Sequence, residues 1–480
     1  MKRDKLSTFS NHLFLKALTN VNISLVCGFA LCQLWVTLCF FAPQLFPENP
    51  AGNVYEFSLV VTVIVSILAM VRYRKTGELL KNIRINYAIA LGAGIGTVII
   101  PLAPLAGPFS ILITLIAAFL TGIASSLFFV AWYQKLAESG NATDCTLSMV
   151  LYSIFMYVLT RLALLPIINP WLVVVFAGAI PLLSALFLNR SMKPVHTYTE
   201  LAVPSKTASL KRFVIRFCIG IFAVSFVSEF LRNYLLESTD LLFYSSEIGL
   251  IVLILKVICA CLIVTVIQAQ KKNDFSFLYR ASFLLIMISA LFMPYTTSQD
   301  LLYAVTNCGA FLFKIIIMLV ALELCQKFRV SPVLIFGATR TAWSLDLLLG
   351  SGLFSGYTII IKTHPDFLQA LSLIFVVIVV IAYIFVFTEK DSSAILAPEP
   401  SKDFDTLQKK CNALGTYFNL SKRELEIMSL MARGRNTPRI TEELHISVNT
   451  VNSHIQHIYQ KLDVHSRQDI LDLLDKWIEK

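Results

Sequence analysis

Residues 420–477 read LSKRELEIMSLMARGRNTPRITEELHISVNTVNSHIQHIYQKLDVHSRQDILDLLDKW, and this stretch decides the fold of the C-terminal part of the chain. Helix start signals divide it into four short helices. A serine precedes the first helix and a glutamate follows three residues later, which is the pattern of a capping box. A threonine followed by proline begins the second helix, and serines begin the third and fourth. The predicted boundary residues are Ser421 with Glu424, Gly434 at the end of the first helix, Thr437 with Pro438, Ser447 and Ser466.

Apolar residues recur along each predicted helix at the three- and four-residue spacing that places them on one face. The tight turn His445–Ile446 joins the second helix to a longer helix with a polar face. This order is typical of a helix-turn-helix, whose later helix enters the major groove of DNA. The predicted buried positions are Leu425, Met428, Met431 and Ala432 in the first helix, Ile440 and Leu444 in the second, Val448, Val451, Ile455, Ile458 and Leu462 in the third, and Ile470, Leu471, Leu474 and Ile478 in the fourth.

The stretch resembles the DNA-binding domain of the LuxR family of transcription regulators. The matching residues are Leu420–Ser421, Arg423–Glu424, Ser447–Val451, His454, Ile458, Lys461–Leu462, Val464 and Ser466–Arg467. The resemblance implies that the third helix reads DNA and that the protein binds DNA as a homodimer. The family positions for phosphate contacts or bracing are Ser447, Thr450 and Lys461, and those for base contacts are Asn452, Ser453 and Gln456. The full predicted DNA-binding set is Ser447, Asn449, Thr450, Asn452, Ser453, Gln456, His457, Lys461 and Arg439.

The third helix departs from the family in its charge. The family usually has Lys or Arg at the position of Asn452, and here Ser447–Gln460 contains no Lys, Arg or carboxylate. Asn and Gln side chains can form hydrogen bonds with adenine, so Asn452 and Gln456 can still contact bases. Phosphate attraction, however, should be weak for a monomer. An alternative therefore stays open, in which the four helices bind another protein instead of DNA.

Histidines are frequent in this domain, but their spacing matches no usual set of metal ligands and no cysteine accompanies them. No metal and no cofactor is therefore predicted. The four histidines are His445, His454, His457 and His465.

Outside this stretch the composition is that of a membrane protein. Hydrophobic residues make up 56% of the 480 residues and charged residues only 15%. Stretches of about 18 or more apolar residues can cross the bilayer as helices. Twelve apolar segments are predicted, at Val21–Ala42, Val54–Val71, Ile85–Leu105, Phe109–Tyr133, Cys145–Ile168, Trp171–Leu188, Phe213–Leu235, Glu247–Ile267, Phe277–Thr297, Leu301–Cys325, Pro332–Ile360 and Phe367–Thr388.

The loops between these segments predict the topology. Basic residues cluster in every second loop, as in Arg72–Arg84, and are nearly absent from the others, with Lys362 the exception. The positive-inside rule then places both termini in the cytoplasm of a protein of the inner (plasma) membrane. A long loop at Arg190–Arg212 follows the sixth segment. This six-plus-six layout resembles the major facilitator superfamily, whose halves are repeats, although the signature that the family carries between its second and third segments is not recognisable in Arg72–Arg84.

The predicted fold is therefore all-α: a polytopic membrane domain of about twelve helices arranged 6+6, followed by a four-helix LuxR-type helix-turn-helix domain. The predicted boundaries are residues 1–388 for the membrane domain, 389–415 for a linker with a possible short helix at Phe404–Leu414, and 416–480 for the DNA-binding domain.

Ionisable residues inside membrane spans are costly and so are candidates for function. Lys256, Lys314 and Arg161 together would favour an anionic ligand. Alternatively these residues pair among themselves, as Lys314 with Asp346, or extend to an interface, as Arg232 and Arg340 can. The predicted ligand-binding set is Arg161, Lys256, Lys314 and Asp346, and the remaining intramembrane ionisable residues are Glu229, Arg232, Glu323 and Arg340.

Three functions fit these patterns. The chain can be a membrane-bound one-component transcription regulator whose partners are DNA, the lipid membrane and a small-molecule ligand. It can also be a secondary transporter with an attached regulatory domain, or an interaction protein whose C-terminal bundle binds another regulator. No recognisable motif places a nucleophile beside a base, so an enzyme is not predicted.

Overall fold

The structure is a computed structural model. It describes the whole chain except residues 1–20, 42–44, 48–52, 140–141, 192–206, 239–246, 271–275, 297–298, 329, 364–365, 387–401, 433–434, 436, 445 and 477–480. The described regular structure is helical, with no strand in the described residues. The chain divides into two compact units, Met1–Ala397 and Pro398–Lys480, each of which has its own buried core.

Thirteen α-helices form the described part of the first unit. Twelve of them correspond one to one with the predicted apolar segments, and the short helix α3 lies between the second and third segments. The helices are α1 (Ile23–Phe41), α2 (Asn53–Val71), α3 (Tyr73–Leu79), α4 (Ile83–Ile99), α5 (Ser110–Ser139), α6 (Ala142–Ala163), α7 (Pro170–Ser191), α8 (Thr207–Ser238), α9 (Glu247–Gln270), α10 (Ser276–Phe292), α11 (Gln299–Phe328), α12 (Pro332–Thr363) and α13 (Asp366–Val386).

Ten of the described helices are long and apolar enough to cross a membrane, and α1 and α10 add two shorter apolar helices. Large apolar side chains such as Ile64, Phe119 and Phe385 are exposed on the outside of the bundle. Exposed apolar surface on this scale is unfavourable in water but suits contact with lipid. The prediction of a multi-pass membrane protein with about twelve helices is confirmed.

The helix pairing shows two structural repeats. In the first half the contacting pairs are α1–α6, α1–α7, α2–α5, α4–α5 and α4–α7. The corresponding pairs of the second half are α8–α12, α8–α13, α9–α11, α10–α11 and α10–α13. The halves meet mainly through α2 against α12 and α6 against α9, and the repeat exchanges these two contacts with each other. This relation between the halves is the one expected from the six-plus-six layout.

Small residues allow close helix contacts within the first half. A Cβ atom added to Gly94 would lie 2.5 Å from the carbonyl oxygen of Gly178, so α4 and α7 touch through their backbones. Hydroxyl groups bond across the neighbouring contact between α2 and α5, as in the 2.8 Å contact between Ser66 Oγ and Ser126 Oγ. Close backbone approach and polar bonds between helices are usual in membrane bundles, where lipid removes the hydrophobic driving force.

The C-terminal unit contains five described helices around a separate core. The first of them overlaps residues 389–415, the predicted linker, and it is longer than the predicted short helix. Its side chains Cys411 and Leu414 are completely buried in this core, so it adds a fifth helix to the four predicted ones. The helices are α14 (Lys402–Tyr417), α15 (Lys422–Ala432), α16 (Thr437–Leu444), α17 (Val448–Leu462) and α18 (Arg467–Lys476).

The capping predictions at Ser421, Ser447 and Ser466 are confirmed, whereas Thr437, predicted to precede its helix, is already the first helical residue. The Ser421 N–H donates to Glu424 Oε2 at 2.7 Å, and the Glu424 N–H donates to Ser421 Oγ at 3.3 Å, which completes the capping box. Ser466 caps α18 in the same reciprocal way with Asp469. Gly434, His445 and Ile478 lie outside the described residues.

One predicted core position is wrong. Val448 is 47% exposed, because it is the first residue of α17 and precedes the buried face that begins at Val451. Conversely, Ile427 and Leu430 in α15 are buried although the predicted stripe omitted them, since α14 covers an additional face of that helix.

Candidate DNA-binding surface and membrane cavity

Helix α17 separates a buried face from an exposed polar face. Val451, Ile458 and Leu462 are buried against the rest of the unit. The predicted DNA-binding residues lie on the other side, and their exposure leaves them accessible to a nucleic acid. The exposed residues of the predicted set are Ser447, Asn449, Thr450, Asn452, Ser453, Gln456, His457, Lys461 and Arg439.

Hydrogen bonds fix the start of α17. Ser447 Oγ accepts from the Thr450 N–H at 3.1 Å and lies 2.8 Å from Thr450 Oγ1. This N-cap leaves the first-turn N–H groups of the helix at the surface, where the helix dipole favours anions such as phosphate. Ser447 and Thr450 therefore shape the end of the helix that would approach DNA.

Lys461 holds α17 to α15. Its Nζ donates to Glu424 Oε2 at 2.7 Å and to the Asn419 carbonyl oxygen at 3.2 Å. Burial raises the pKa of the Glu424 carboxyl, but hydrogen bonds from Lys461 and Ser421 outweigh this and lower that pKa to about 2. Of the two roles implied for Lys461, the structure has it as a brace.

The charge of Arg439 is already balanced on α16. Its guanidinium lies 3.1 Å from Glu442 Oε2 and 3.6 Å from Glu443 Oε1. Glu443 also pairs with Arg435 at 3.1 Å. A phosphate contact at Arg439 would have to compete with these exposed ion pairs, which are individually weak.

Three potential metal ligands lie close together beside the Lys461–Glu424 contact. The spacing of the histidines along the sequence did not predict this cluster. The ligand atoms of Glu424, His454 and His457 all lie within 4.8 Å of one another, because the histidines are three residues apart on α17 and face α15. Imidazole nitrogens with one carboxylate suit a zinc ion. The ammonium of Lys461, only 2.7 Å from the same carboxylate, opposes a second cation there.

The first unit contains a cavity between its two halves. Helices α1, α5 and α6 of the first half and α8, α9, α11 and α12 of the second half line it, and its empty volume is about 1210 Å³. Ionisable and hydroxyl side chains share the wall with apolar ones. The ionisable lining residues, apart from tyrosines, are Glu229, Arg232, Lys256, Lys314 and Arg340.

Two of these cations flank a single indole. Lys314 Nζ lies 4.5 Å from the ring centroid of Trp343, and the guanidinium carbon of Arg340 lies 5.4 Å from the same ring. Lys314 also donates to Gln33 Oε1 at 2.9 Å, and Arg340 lies over the ring of Phe129 at 4.6 Å. The partners of both cations are thus aromatic faces and a neutral amide.

The remaining cavity charges differ from each other in their partners. Lys256 Nζ donates to Asn307 Oδ1 at 2.5 Å and lies 5.3 Å from the Phe311 ring centroid. Arg232, in contrast, forms a salt bridge with Glu229 one turn earlier on α8. The Arg232–Glu229 pair therefore contributes little net charge to the cavity.

The structure brings together only part of the predicted ligand-binding set. Lys256 and Lys314 share the cavity. Arg161 does not reach it, because it is exposed on α6 beside Tyr157. Asp346 is completely buried on α12 but is not a lining residue, and among the described residues it forms no salt bridge with Lys314.

Arg340 and Arg232 are cavity residues that the predicted ligand-binding set omitted. Extension to an interface was the alternative for both, but both line the cavity, and Arg340 is 4% exposed. Thr339 and Trp343 line the cavity from the same helix. The polar positions 339, 340 and 343 share one helical face, a pattern that could have pointed inward.

Comparison with known proteins assigns the C-terminal helices. Residues 419–474 match the family of bacterial regulatory proteins, luxR family. The chain is 47% identical over 53 residues to the oxygen regulatory protein NreC of Staphylococcus carnosus, covering 11% of this chain and 24% of that protein. It is 51% identical over 49 residues to the transcriptional regulatory protein LiaR of Bacillus subtilis, covering 10% and 23%. The chain thus spans about a quarter of the length of these relatives, and its C-terminal unit contains a LuxR-type helix-turn-helix domain.

Solved structures similar to the chain include transporters. The fucose:proton symporter FucP of E. coli superposes with a TM-score of 0.53 and 15% identity, covering 75% of this chain and 97% of that one. The human organic anion transporter TETRAN superposes with a TM-score of 0.52 and 14% identity, covering 76% and 98%. At these identities the likeness shows the fold alone, which the first unit shares with these two transporters.

Proposed function

We propose that this protein is a membrane-bound one-component transcription regulator. Its cytoplasmic C-terminal helix-turn-helix binds DNA as a homodimer, and a small molecule in the cavity of the transporter-like unit changes the occupancy of that DNA. Both termini lie in the cytoplasm, at the inner membrane. One observation supports the proposal most directly: the same chain has an exposed polar face on α17 and, in its other unit, a cavity that contains buried charges.

The exposed polar face of α17 supports the DNA-binding part. Asn452 and Gln456 are exposed on the same face, one turn apart, and amide side chains of this kind can bond adenine bidentately. The opposite face is fixed by the core and by the Lys461–Glu424 brace, so the helix is held rigidly for docking.

The cavity supports the sensing part. It lies between two repeated halves, so a ligand that contacts both halves can favour one arrangement of the halves over another. A ligand shifts such an equilibrium only by the difference between its affinities for the two states. Contacts from both halves provide a physical source for that difference.

Genome-wide recovery of DNA crosslinked to the full-length protein tests the proposal. We expect enrichment of a small set of chromosomal sites, and loss of that enrichment in the double variant Asn452→Ala, Gln456→Ala. The matched control is His465→Ala, which changes an exposed residue between α17 and α18 and should leave the sites occupied. Absence of any enriched site with wild-type protein would instead support the partner-binding bundle.

A second function is favoured by the same cavity. The charged side chains of the cavity all come from the second half, and charged residues at the interface of two repeated halves are also what a working secondary transporter uses. Once a compound that changes promoter occupancy is known, its uptake into proteoliposomes distinguishes the two functions. Uptake that is lost in Lys314→Ala or Asp346→Ala would make the protein a transporter with an attached regulatory domain. Binding without uptake supports the sensor.

A further inference from the structure

We infer that the cavity binds a small organic anion, with its oxyanion head group between Lys314 and Arg340 and an apolar body against the remaining wall. This inference deepens the proposed function by naming the ligand class. The residues that support it all belong to the described part of the first unit, and none belongs to the DNA-binding surface.

Cationic side chains outnumber carboxylates in the lining of the cavity. Lys256, Lys314 and Arg340 form no salt bridge with any carboxylate of the described residues, whereas Arg232 is paired with Glu229. The buried carboxylate of Asp346 interacts electrostatically with Arg340 at longer range, and this one negative charge does not balance three cations. Arg340 is 4% exposed, and its Nε has no hydrogen-bond partner among the described residues. Buried charges are normally paired because an uncompensated one is costly. A ligand anion would supply the missing charge.

The head group of the ligand would lie close to Trp343. Trp343 lies beside both Lys314 and Arg340, at 4.5 and 5.4 Å, so the two cations face one region of the cavity. Lys314 uses one N–H on Gln33 and keeps other donors, and a guanidinium can bond two oxygens of a carboxylate or phosphate side by side. This region is therefore suited to an oxyanion rather than to a neutral polar group.

Apolar side chains form part of the remaining wall of the cavity. Met149, Ala310, Ile317 and Met318 also line the cavity. Phosphate or sulfate alone would leave these side chains facing water, whereas an apolar body removes that water. The combination favours an organic anion over an inorganic one.

The unfolding temperature of a Lys314→Met variant distinguishes a ligand-binding role of Lys314 from a structural one. If Lys314 awaits a ligand anion, replacing it with methionine removes an uncompensated buried charge and should raise the unfolding temperature of the ligand-free protein. If Lys314 instead holds helices together through Gln33, the same replacement should lower that temperature. A lowered temperature would count against the inference.

The direct experiment measures the unfolding temperature of purified full-length protein in detergent with matched probes. Benzoate and hexanoate are compared with benzamide and hexanamide, and phenyl phosphate with inorganic phosphate. We expect the organic anions to stabilise the protein and their neutral amides and inorganic phosphate to have little effect. The stronger of benzoate and phenyl phosphate identifies the head group. Equal stabilisation by acid and amide, by phenyl phosphate and inorganic phosphate, or no effect of any anion, would overturn the inference.

Variants then locate the site. Arg340→Gln and Lys314→Met should weaken anion binding by roughly 10- to 100-fold, the range expected for losing a charged hydrogen bond. Arg161→Gln removes a cation from a membrane helix outside the cavity and should change nothing. Anion preference that survives in both cavity variants would refute this location. DNA occupancy is measured separately from anion binding. A wild-type protein that occupies its DNA sites but binds no organic anion contradicts only this inference. A wild-type protein that binds organic anions but occupies no DNA site contradicts only the proposed regulator.

Discussion

Glu424 connects two helices of the C-terminal unit at the scale of single residues. Its carboxylate closes the capping box of α15 and accepts from Lys461 on α17, and its side chain is buried. The sequence showed the capping role, since it depends on neighbours three residues away. The contact with Lys461, 37 residues later, depends on how the helices pack.

The substitution Glu424→Gln should destabilise the isolated unit Pro398–Lys480, which has its own core, by on the order of 2 kcal/mol at neutral pH. Because the pKa in the folded state is lowered to about 2, the carboxylate stabilises the fold above its usual pKa. This stabilisation is lost as the pH falls from about 4.5 towards about 2. Urea unfolding of wild type and variant across this window measures the change.

The control for this substitution is Glu426→Gln, which removes a carboxylate that is 54% exposed and pairs with Arg423. Exposed pairs contribute little, so this variant should match wild type. A difference between Glu424→Gln and wild type that stays constant down to the lowest pH would contradict the linkage.

Asn452 occupies a position where LuxR-type domains usually have Lys or Arg, and this difference gives a second prediction at the residue scale. Asn452→Lys should strengthen DNA binding and steepen the salt dependence by about one counterion, because it adds one phosphate contact. Fluorescence anisotropy at several salt concentrations measures this slope. His465→Lys adds the same charge away from α17, and an equal increase in slope for both variants would show that net charge, rather than position, is responsible.

At the scale of elements, the membrane unit depends on close helix contacts that apolar periodicity does not reveal. Gly94→Ala should destabilise the unit by about 1–3 kcal/mol, because its Cβ would lie 2.5 Å from the Gly178 carbonyl oxygen and would push α4 away from α7. Thermal unfolding in detergent measures the effect. Gly92→Ala is the matched control, since its nearest neighbour is a flexible Leu120 methyl at 3.8 Å. Equal unfolding temperatures for the two variants would mean that α4 and α7 do not touch in this way.

In the C-terminal unit, by contrast, local sequence determines where most of the helices begin. Their ends follow from local capping, and the sequence located them to within a residue or two at Ser421, Ser447 and Ser466. The exception is α14, whose place in the core depends on distant partners such as Ile427. Its low apolar content near Lys402 made it read as a linker.

At the scale of the whole molecule, the absence of Lys and Arg from Ser447–Gln460 makes DNA affinity depend on oligomerisation. A monomeric domain has few phosphate contacts, and linking two domains converts the second binding event into an intramolecular one. Fusion of Pro398–Lys480 to a strong soluble dimeriser should therefore increase DNA affinity by about 100-fold or more over the unfused fragment. Gel-shift titration of both proteins checks this, and equal affinities would argue against a dimeric DNA complex.

The sequence by itself determined the class of each unit. Apolar length predicts membrane helices and capping spacing predicts the helix-turn-helix, because both depend on residues that are neighbours along the chain. Tertiary structure alone decided which charges meet: it placed Arg340 and Lys314 beside Trp343 and left Arg161 outside the cavity. The physical reason is that helix-helix packing selects which face of each helix points inward. Periodicity is uninformative about that choice where a membrane helix is apolar on all faces, and a polar face such as that of positions 339, 340 and 343 indicates an inward side without identifying its partners.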